Sequence, residues 1–423
     1  MDTTDKHLII GAGFCGLGVA AALQRHGIPF DIVEAADDLG GNWYHGVYET
    51  VHIISSRRTT AFPDFPMPAD WPDFPSAGQM LTYLRRFAED RKLRRHIRFD
   101  TRIVAVSPEA DDRWAVTDAM GATRIYGGVV VCNGHHWDMR MPHYPGTFTG
   151  ELIHAKQYKR TEQLRGRRVL VIGGGNSACD IAAEAARSGA SAHISLRRGY
   201  WFLPKTMAGI PTVEFMPAWL PLWLQRPVLR LMIRLVVGRY EDYGLPHPDH
   251  APFEHHPTIN TELLYYLRQG TLSPHPDIQA YDGRTVTFVD GQTAEIDLIV
   301  AATGYNVSFP FLAEGVVTWV DGMPQLIGGV LPPDRKHLYV FGLGQPRYGA
   351  GPLIAAGAEF LAGLIAIQRQ LRHPVGAVLR RLGAKAPTTW LADPHRSLRD
   401  SRRGLQLLPW LPKLESWLMA KGG

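Results

Sequence analysis

An α/β fold with two doubly wound parallel sheets in three layers is what the sequence predicts, on three observations. Two glycine turns, "GAGFCG" (11–16) and "GGGNSA" (173–178), each follow a short apolar run and open an Ala-rich stretch. That is the strand–turn–helix context of Rossmann-like dinucleotide binding. Two further apolar runs, "GGVVVCNG" (127–134) and "IDLIVAATG" (296–304), stop at a glycine and read as partner strands. Between the second turn and the last of these runs lies an apolar, Trp- and Arg-rich stretch, which predicts a mainly helical insertion around 201–260.

The first βαβ unit is "KHLIIGAGFCGLGVAAALQRHGIPFDIVEAA" (6–36). Gly11, Gly13 and Gly16 give a tight turn, backbone approach to a pyrophosphate and close helix packing, with Phe14 and Cys15 inside the turn. Glu34 ends the next strand. A carboxylate there accepts hydrogen bonds from ribose hydroxyls and repels a 2′-phosphate, so this site suits FAD or NAD. The second unit is "RRVLVIGGGNSACDIAAEAARSGASAHISLRR" (167–198). Gly173 and Gly175 make its turn, and Asn176 and Ser177 open its helix, facing phosphates or ribose. Its second strand ends in Arg197 and Arg198, two guanidinium groups suited to a 2′-phosphate. This site reads as NADPH. The first is then FAD, because a second nicotinamide would have no partner to reduce.

Composition excludes other classes. Apolar residues make up 45% and charged residues 20%, ordinary for a globular chain, and the net charge of +5 is too mild to argue for nucleic acid. The three cysteines, Cys15, Cys132 and Cys179, form no C-x-x-C pair and fit a reducing cytoplasm. The N-terminus lacks a signal-peptide pattern, and no uncharged apolar run reaches the ~18–20 residues of a membrane span. In "PAWLPLWLQRPVLRLMIRLVV" (217–237), Arg226, Arg230 and Arg234 fall on one helix face. A helix packed on the protein as a lid is preferred there to a helix lying on a membrane surface. His247, His250, His255 and His256 are interrupted by prolines and have no H-E-x-x-H spacing, so no metal site is expected.

Residues 148–159, "FTGELIHAKQYK", carry Phe148, Gly150, His154, Tyr158 and Lys159 at fixed intervals between the two glycine turns. They match every fixed position of F-x-G-x-x-x-H-x-x-x-[YF]-[KD]. The chain thereby resembles the class B flavin-dependent monooxygenases, specifically the flavin-containing monooxygenases. "LGGNWYHGVYETV" (39–51), "FPDFPMPADWPDFP" (62–75), "YGLPHP" with "HPTIN" (243–248, 256–260) and "AATGY" (301–305) resemble further family segments, so the likeness runs almost the whole length.

The resemblance implies an FAD-binding domain of residues 1–157 and 307–423, and an NADPH-binding domain of 158–306 that carries the insertion. It implies FAD contacts at Asn42, Trp43 and Val104, and places Thr303, Gly304 and Gln345 by the cofactors. It gives the 148–159 motif a coupling role between the domains. It also implies a chemistry: NADPH reduces the flavin, O2 forms a C4a-hydroperoxide, and an amine nitrogen or sulfide sulfur takes the distal oxygen. One departure stands out. Ile54 occupies the place of a family asparagine beside the flavin, leaving its work to His52, Ser55 or bound NADP. Tyr158-Lys159 argues against Baeyer–Villiger oxygenation of a ketone, which stays an alternative beside an uncoupled NADPH oxidase or flavoprotein sensor. Trp219 and Trp223 are expected to roof the entrance for a small hydrophobic substrate. The sequence leaves substrate identity and oligomeric state open.

Overall fold

A computed structural model describes residues 3–215 and 222–420. Its main elements are β1 (His7–Ile10), α1 (Phe14–Arg25), β2 (Phe30–Val33), β3 (Ile97–Arg98), β4 (Gly128–Val131) and β5 (Glu151–His154). They continue with β6 (Arg168–Ile172), α2 (Asn176–Ser188), β7 (Ser191–Ser195), α3 (Leu222–Val236), β8 (Leu272–His275) and β9 (Leu298–Ala301). β10 (Leu338–Val340), α4 (Gly351–Gln368) and α5 (Pro394–Leu407) complete the set. One sheet has the order β10-β4-β1-β2-β3 and the other β5-β9-β6-β7-β8, with every pair parallel.

Strand periodicity explains the layers. Side chains alternate between faces, so a strand buried on both sides must be apolar throughout. On one face of the first sheet, Ile9, Ile32, Val130 and Tyr339 pack on a core shared with α1 and α4. On the other, Leu8, Ile10, Val129 and Val131 meet Trp114, Val116 and Tyr126 of an antiparallel three-stranded sheet over residues 103–126. The second sheet repeats the plan. Val169, Val171, Ile194 and Val300 face α2, while Leu170, Ile172 and Ile299 face Val286 and Phe288 of a second, largely antiparallel sheet.

Glu151–His154 pairs with β9 in the second sheet, although the expected division puts it before residue 157. The strand crosses because Leu152 and Ile153 continue the register Leu298–Ala301 needs at that edge.

The insertion is less helical than its composition suggests. Among the described residues it contains α3, a short helix at Thr212–Phe215, a 3-10 turn at Tyr240–Tyr243 and a small antiparallel pair of Thr206–Met207 with Ile210–Pro211. Trp219 lies outside the described residues. On α3, Gln225, Leu229 and Ile233 point into the protein, whereas Leu224, Val228, Leu231 and Leu235 form an exposed apolar stripe. Arg226 pairs with Glu254 at 3.5 Å and Arg230 lies 5.9 Å from the Trp201 ring centroid. α4 is long and apolar enough to cross a membrane by length and composition. Half of that window is buried, and the helix packs on α1 and α5.

Candidate functional site

The site begins at the two glycine turns. Gly11 has φ +108°, its N–H donates to Val33 O at 2.8 Å, and a Cβ there would lie 2.5 Å from Cys132 O. Gly173 has φ +121°, its N–H donates to Ser195 O at 3.0 Å, and a Cβ would lie 2.5 Å from Ala302 O. Only glycine fits such a backbone without strain. Gly16 answers a different need. A Cβ on it would sit 1.9 Å from Gly11 O, so helix and strand could not close.

Both turns open into one cavity of about 2480 Å3. Gly11, Gly13, Phe14, Cys15 and Glu34 line it from the first unit, and Gly175, Asn176 and Ser177 from the second. Asn42 and Trp43, on a π-helical turn over Asn42–Gly46, and Val104 line it as well. So do His52, Ile54, Ser55, His154, Gly304 and Gln345. Thr303 and Arg198 instead line a smaller cavity of about 400 Å3. Gly16, Gly173, Arg197, Phe148, Gly150, Tyr158, Lys159 and Trp223 line neither.

Glu34 is braced before any ligand arrives. Its Oε2 accepts from Ala12 N at 2.8 Å and its Oε1 from Ala36 N at 3.0 Å. A carboxylate has about four lone-pair positions, so each oxygen keeps one for a ribose hydroxyl. Asn176 spends its side chain on protein: Oδ1 accepts from Ile259 N at 2.8 Å, and Nδ2 donates to Pro257 O at 3.3 Å. That holds segment 256–260 over the second turn. Thr258 helps by donating to Gly174 O at 2.9 Å.

The 148–159 residues are mostly fasteners. Phe148 packs against Tyr281, ring centroids 5.6 Å apart, and a Cβ on Gly150 would meet the Phe148 ring at 2.5 Å. His154 is buried; its Nε2 donates to Gly304 O at 3.0 Å and its Nδ1 accepts from Lys156 N at 3.1 Å. That pattern fixes the neutral tautomer, and burial holds its pKa below the usual histidine value. Tyr158 donates to Glu184, which also accepts from Thr50 and Thr161. Lys159 Nζ donates to His45 O at 2.7 Å, and Glu49 N donates to Lys159 O at 2.9 Å. Tyr48 OH donates to Asp180 Oδ2 at 2.7 Å, and burial raises the Asp180 carboxyl above its ordinary range. The second unit thus grips segment 45–50, beside the Trp43 turn.

Ile54 lines the large cavity and is partly buried against the core of the second unit. Ser55 Oγ is 2.6 Å from Thr60 Oγ1, and His52 Nδ1 is 2.8 Å from Thr50 O. Neither group is free of protein partners. The first turn of α4, with Ala350 and Leu353, also faces the cavity.

Several lining residues escaped the sequence reading. His135, His136 and Trp137 follow the "CNG" strand end, and His256, weighed in the sequence only as a metal ligand, comes from the insertion. Burial lowers the pKa of all three histidines, that of His136 to about 3. His135 Nε2 and Trp137 Nε1 are buried without a protein partner. The doubled histidine after a strand-ending glycine was the available signal. Arg347, buried beside Asp393 and 5.3 Å from the Phe253 ring centroid, had none. It depends on residues 388–393 returning from the C-terminal part, where Gln345 N donates to Trp390 O at 2.7 Å.

The model of the flavin-binding monooxygenase-like family matches residues 4–362. The chain belongs to this family. Its members use FAD and NADPH, and the protein is a flavin-dependent monooxygenase. Among relatives, the rabbit (Oryctolagus cuniculus) N-oxide-forming dimethylaniline monooxygenase 2 is 30% identical over 386 residues, 84% of this chain and 72% of that one. Among solved structures, the S-allyl-L-cysteine S-oxygenase of Allium sativum aligns with 99% of this chain and 88% of its own, at TM-score 0.64 and 21% identity. A closed cyclohexanone monooxygenase aligns with 97% and 98%, at TM-score 0.75 and 17% identity. These structural likenesses speak for the fold.

Proposed function

We propose that the protein uses NADPH and O2 to place one oxygen atom on a soft nucleophile, an amine nitrogen or a sulfide sulfur. The observation that carries this reading is that both glycine turns open into the same cavity. Electrons can then pass between two bound dinucleotides without leaving the protein. In this reading residues 1–157 and 307–423 hold FAD, residues 158–306 hold NADPH, and β5 lends its strand across the division.

FAD fits the first turn: Gly11 and Gly13 leave backbone open for a diphosphate, and Glu34 is already oriented for the ribose. Bound and reduced, FAD supplies the oxygen-activating chemistry. The chain supplies position and shelter. The N–H groups of the first α4 turn stabilise negative charge where the helix meets the cavity. Neutral His154 holds the Gly304 carbonyl in place without adding charge. Ile54, Val213, Ile259 and Leu353 give apolar walls that exclude water and suit a hydrophobic substrate. Three unpaired thiols support a cytoplasmic setting.

Baeyer–Villiger oxygenation is the second reading, favoured only by Ile54, an apolar side chain in the place of the family asparagine. The test follows O2 uptake by the flavin-loaded protein with NADPH and an aryl methyl sulfide, a tertiary arylamine or a cyclic ketone. Sulfoxide or N-oxide formed one per O2 supports the proposal. Lactone from the ketone alone, or hydrogen peroxide as the sole product with every substrate, defeats it.

A further inference from the structure

The large cavity does not end where the two glycine turns meet; one arm of it follows α4. Leu353, Gly357, Phe360 and Leu364 all line it. Steps of four, three and four residues put them on one face of the helix, and eleven residues at 1.5 Å each make that face about 16 Å long. The arm leads away from the first glycine turn. α1 leaves that turn, and α4 runs beside it in the same direction: a Cβ on Gly18 would meet Ile354 at 2.5 Å, and Arg25 Nε donates to Glu359 Oε1 at 2.7 Å.

The opposite wall is apolar as well. Val330, Leu331, Leu379 and Ala384 line the same cavity and join the core of the first unit. Gly357 sets the width, because it brings no side chain to the middle of the face. A Cβ there would come within 3.1 Å of the Phe341 ring, which also lines the cavity. Residues 383–393 are fastened at two points: Gly328 N donates to Lys385 O at 3.1 Å, and Gln345 N donates to Trp390 O at 2.7 Å. Arg396 and Asp400 of α5, exposed and paired at 3.5 Å, line the cavity where it opens to water.

A long, narrow, apolar arm suits an unbranched hydrocarbon chain. In a zigzag of ~1.5 Å bonds each carbon advances about 1.3 Å, so roughly twelve carbons span it. We propose that the arm along α4 binds an alkyl chain, so that the preferred substrate is an amine or sulfide whose nucleophilic atom ends a chain of about eight to twelve carbons. The proposal rests on the oxygenation reading above and names the substrate class for it. Leu353, at the first turn of α4, receives the end of the chain that carries the nucleophile, and Leu364 the far end.

The experiment has two readouts on the flavin-loaded protein. The first is calorimetric titration with n-alkyl methyl ethers of four to twelve carbons, which share the shape of the sulfides and carry no soft nucleophile. Wild-type affinity is expected to rise about three- to fourfold per methylene across the series. The second is kcat/KM for the matching n-alkyl methyl sulfides and N,N-dimethylalkylamines with NADPH and O2, which should rise in parallel. Gly357→Leu blocks the arm one turn from its start, so both curves should level off at about five carbons. Ala384→Leu fills it from the opposite wall and should also end the rise early. Flavin content and melting temperature show which variants are folded. Ether affinity that does not grow with chain length, or that grows in folded variants as it does in wild type, overturns the proposal while the oxygenation reading stands. Sulfides and amines that are not oxygenated at any length overturn both.

Discussion

The two glycine turns share a backbone and differ in almost everything around it. In each, the first glycine donates to the end of the next strand and presses against the carbonyl that ends a third. Yet the third slot is Gly16 in one and Ala178 in the other, and the ribose position is Glu34 in one and Leu196 in the other. A diphosphate cradle is a backbone device and can be repeated unchanged. Discrimination between nucleotides is a side-chain matter and is settled separately at each copy. In our reading the first copy settles it with one acid held by its own turn, whereas the second has the apolar Leu196 at the same place.

The third slot offers the sharpest way to break the parallel. Gly16→Ala should give protein that fails to retain flavin, because the new Cβ has only backbone to push against at 1.9 Å. The reverse change, Ala178→Gly, should cost about 1 kcal/mol from helix propensity alone. Flavin absorbance and melting temperature measure both, and a yellow, stable Gly16→Ala protein would mean the turns close differently. Next in size are Gly11→Ala and Gly173→Ala. Each forces an L-residue into a positive-φ backbone against a carbonyl, at about 1–3 kcal/mol. The first should lose flavin. The second should stay yellow but be reduced by NADPH at least tenfold more slowly in stopped-flow, and equal effects on both cofactors would erase the division of labour.

The smallest difference between the two units is electrostatic and compares His7 with His193. Burial lowers His7 to about 3 in the first unit and His193 to about 4 in the second. A histidine whose folded pKa lies below its unfolded value near 6.5 binds a proton more readily when unfolded. Stability therefore falls as pH drops from about 6.5 towards these values, by up to roughly 1.4 kcal/mol per pH unit per group. Melting temperatures from pH 7 to 4.5 should show this slope, and His7→Phe should flatten it more than His193→Phe does. The order follows from burial: both His7 ring nitrogens lack partners, whereas His193 Nδ1 lies 3.0 Å from His275 Nε2.

What could be read from the sequence was local and periodic. The glycine turns, the apolar strands and Glu34 announce themselves within thirty residues, because one strand–turn–helix unit contains its own reasons. What could not be read depends on return journeys of the chain. Arg347 meets Asp393 only because residues 388–393 come back to Gln345. Arg197 and Arg198 look alike in sequence, yet in the bend after β7 Arg197 is exposed while Arg198 lines the smaller cavity. Lys159 and Tyr158 read as motif residues, but their partners at 45–47 and at 184 are visible only in three dimensions. The exposed stripe on α3 was hidden for the opposite reason: periodicity locates an apolar face but does not say which part of it the protein covers.

Those partners make the seam between the halves a latch. Glu184 binds Tyr158, Thr161 and Thr50 together, and Asp180 binds Tyr48, while Lys159 holds the carbonyls of His45 and Val47. Buried polar groups gain nothing by loosening one at a time, since each freed carboxylate oxygen would be stranded away from water. In our reading, a seam fastened by several shared bonds keeps the two nucleotide sites at a fixed separation.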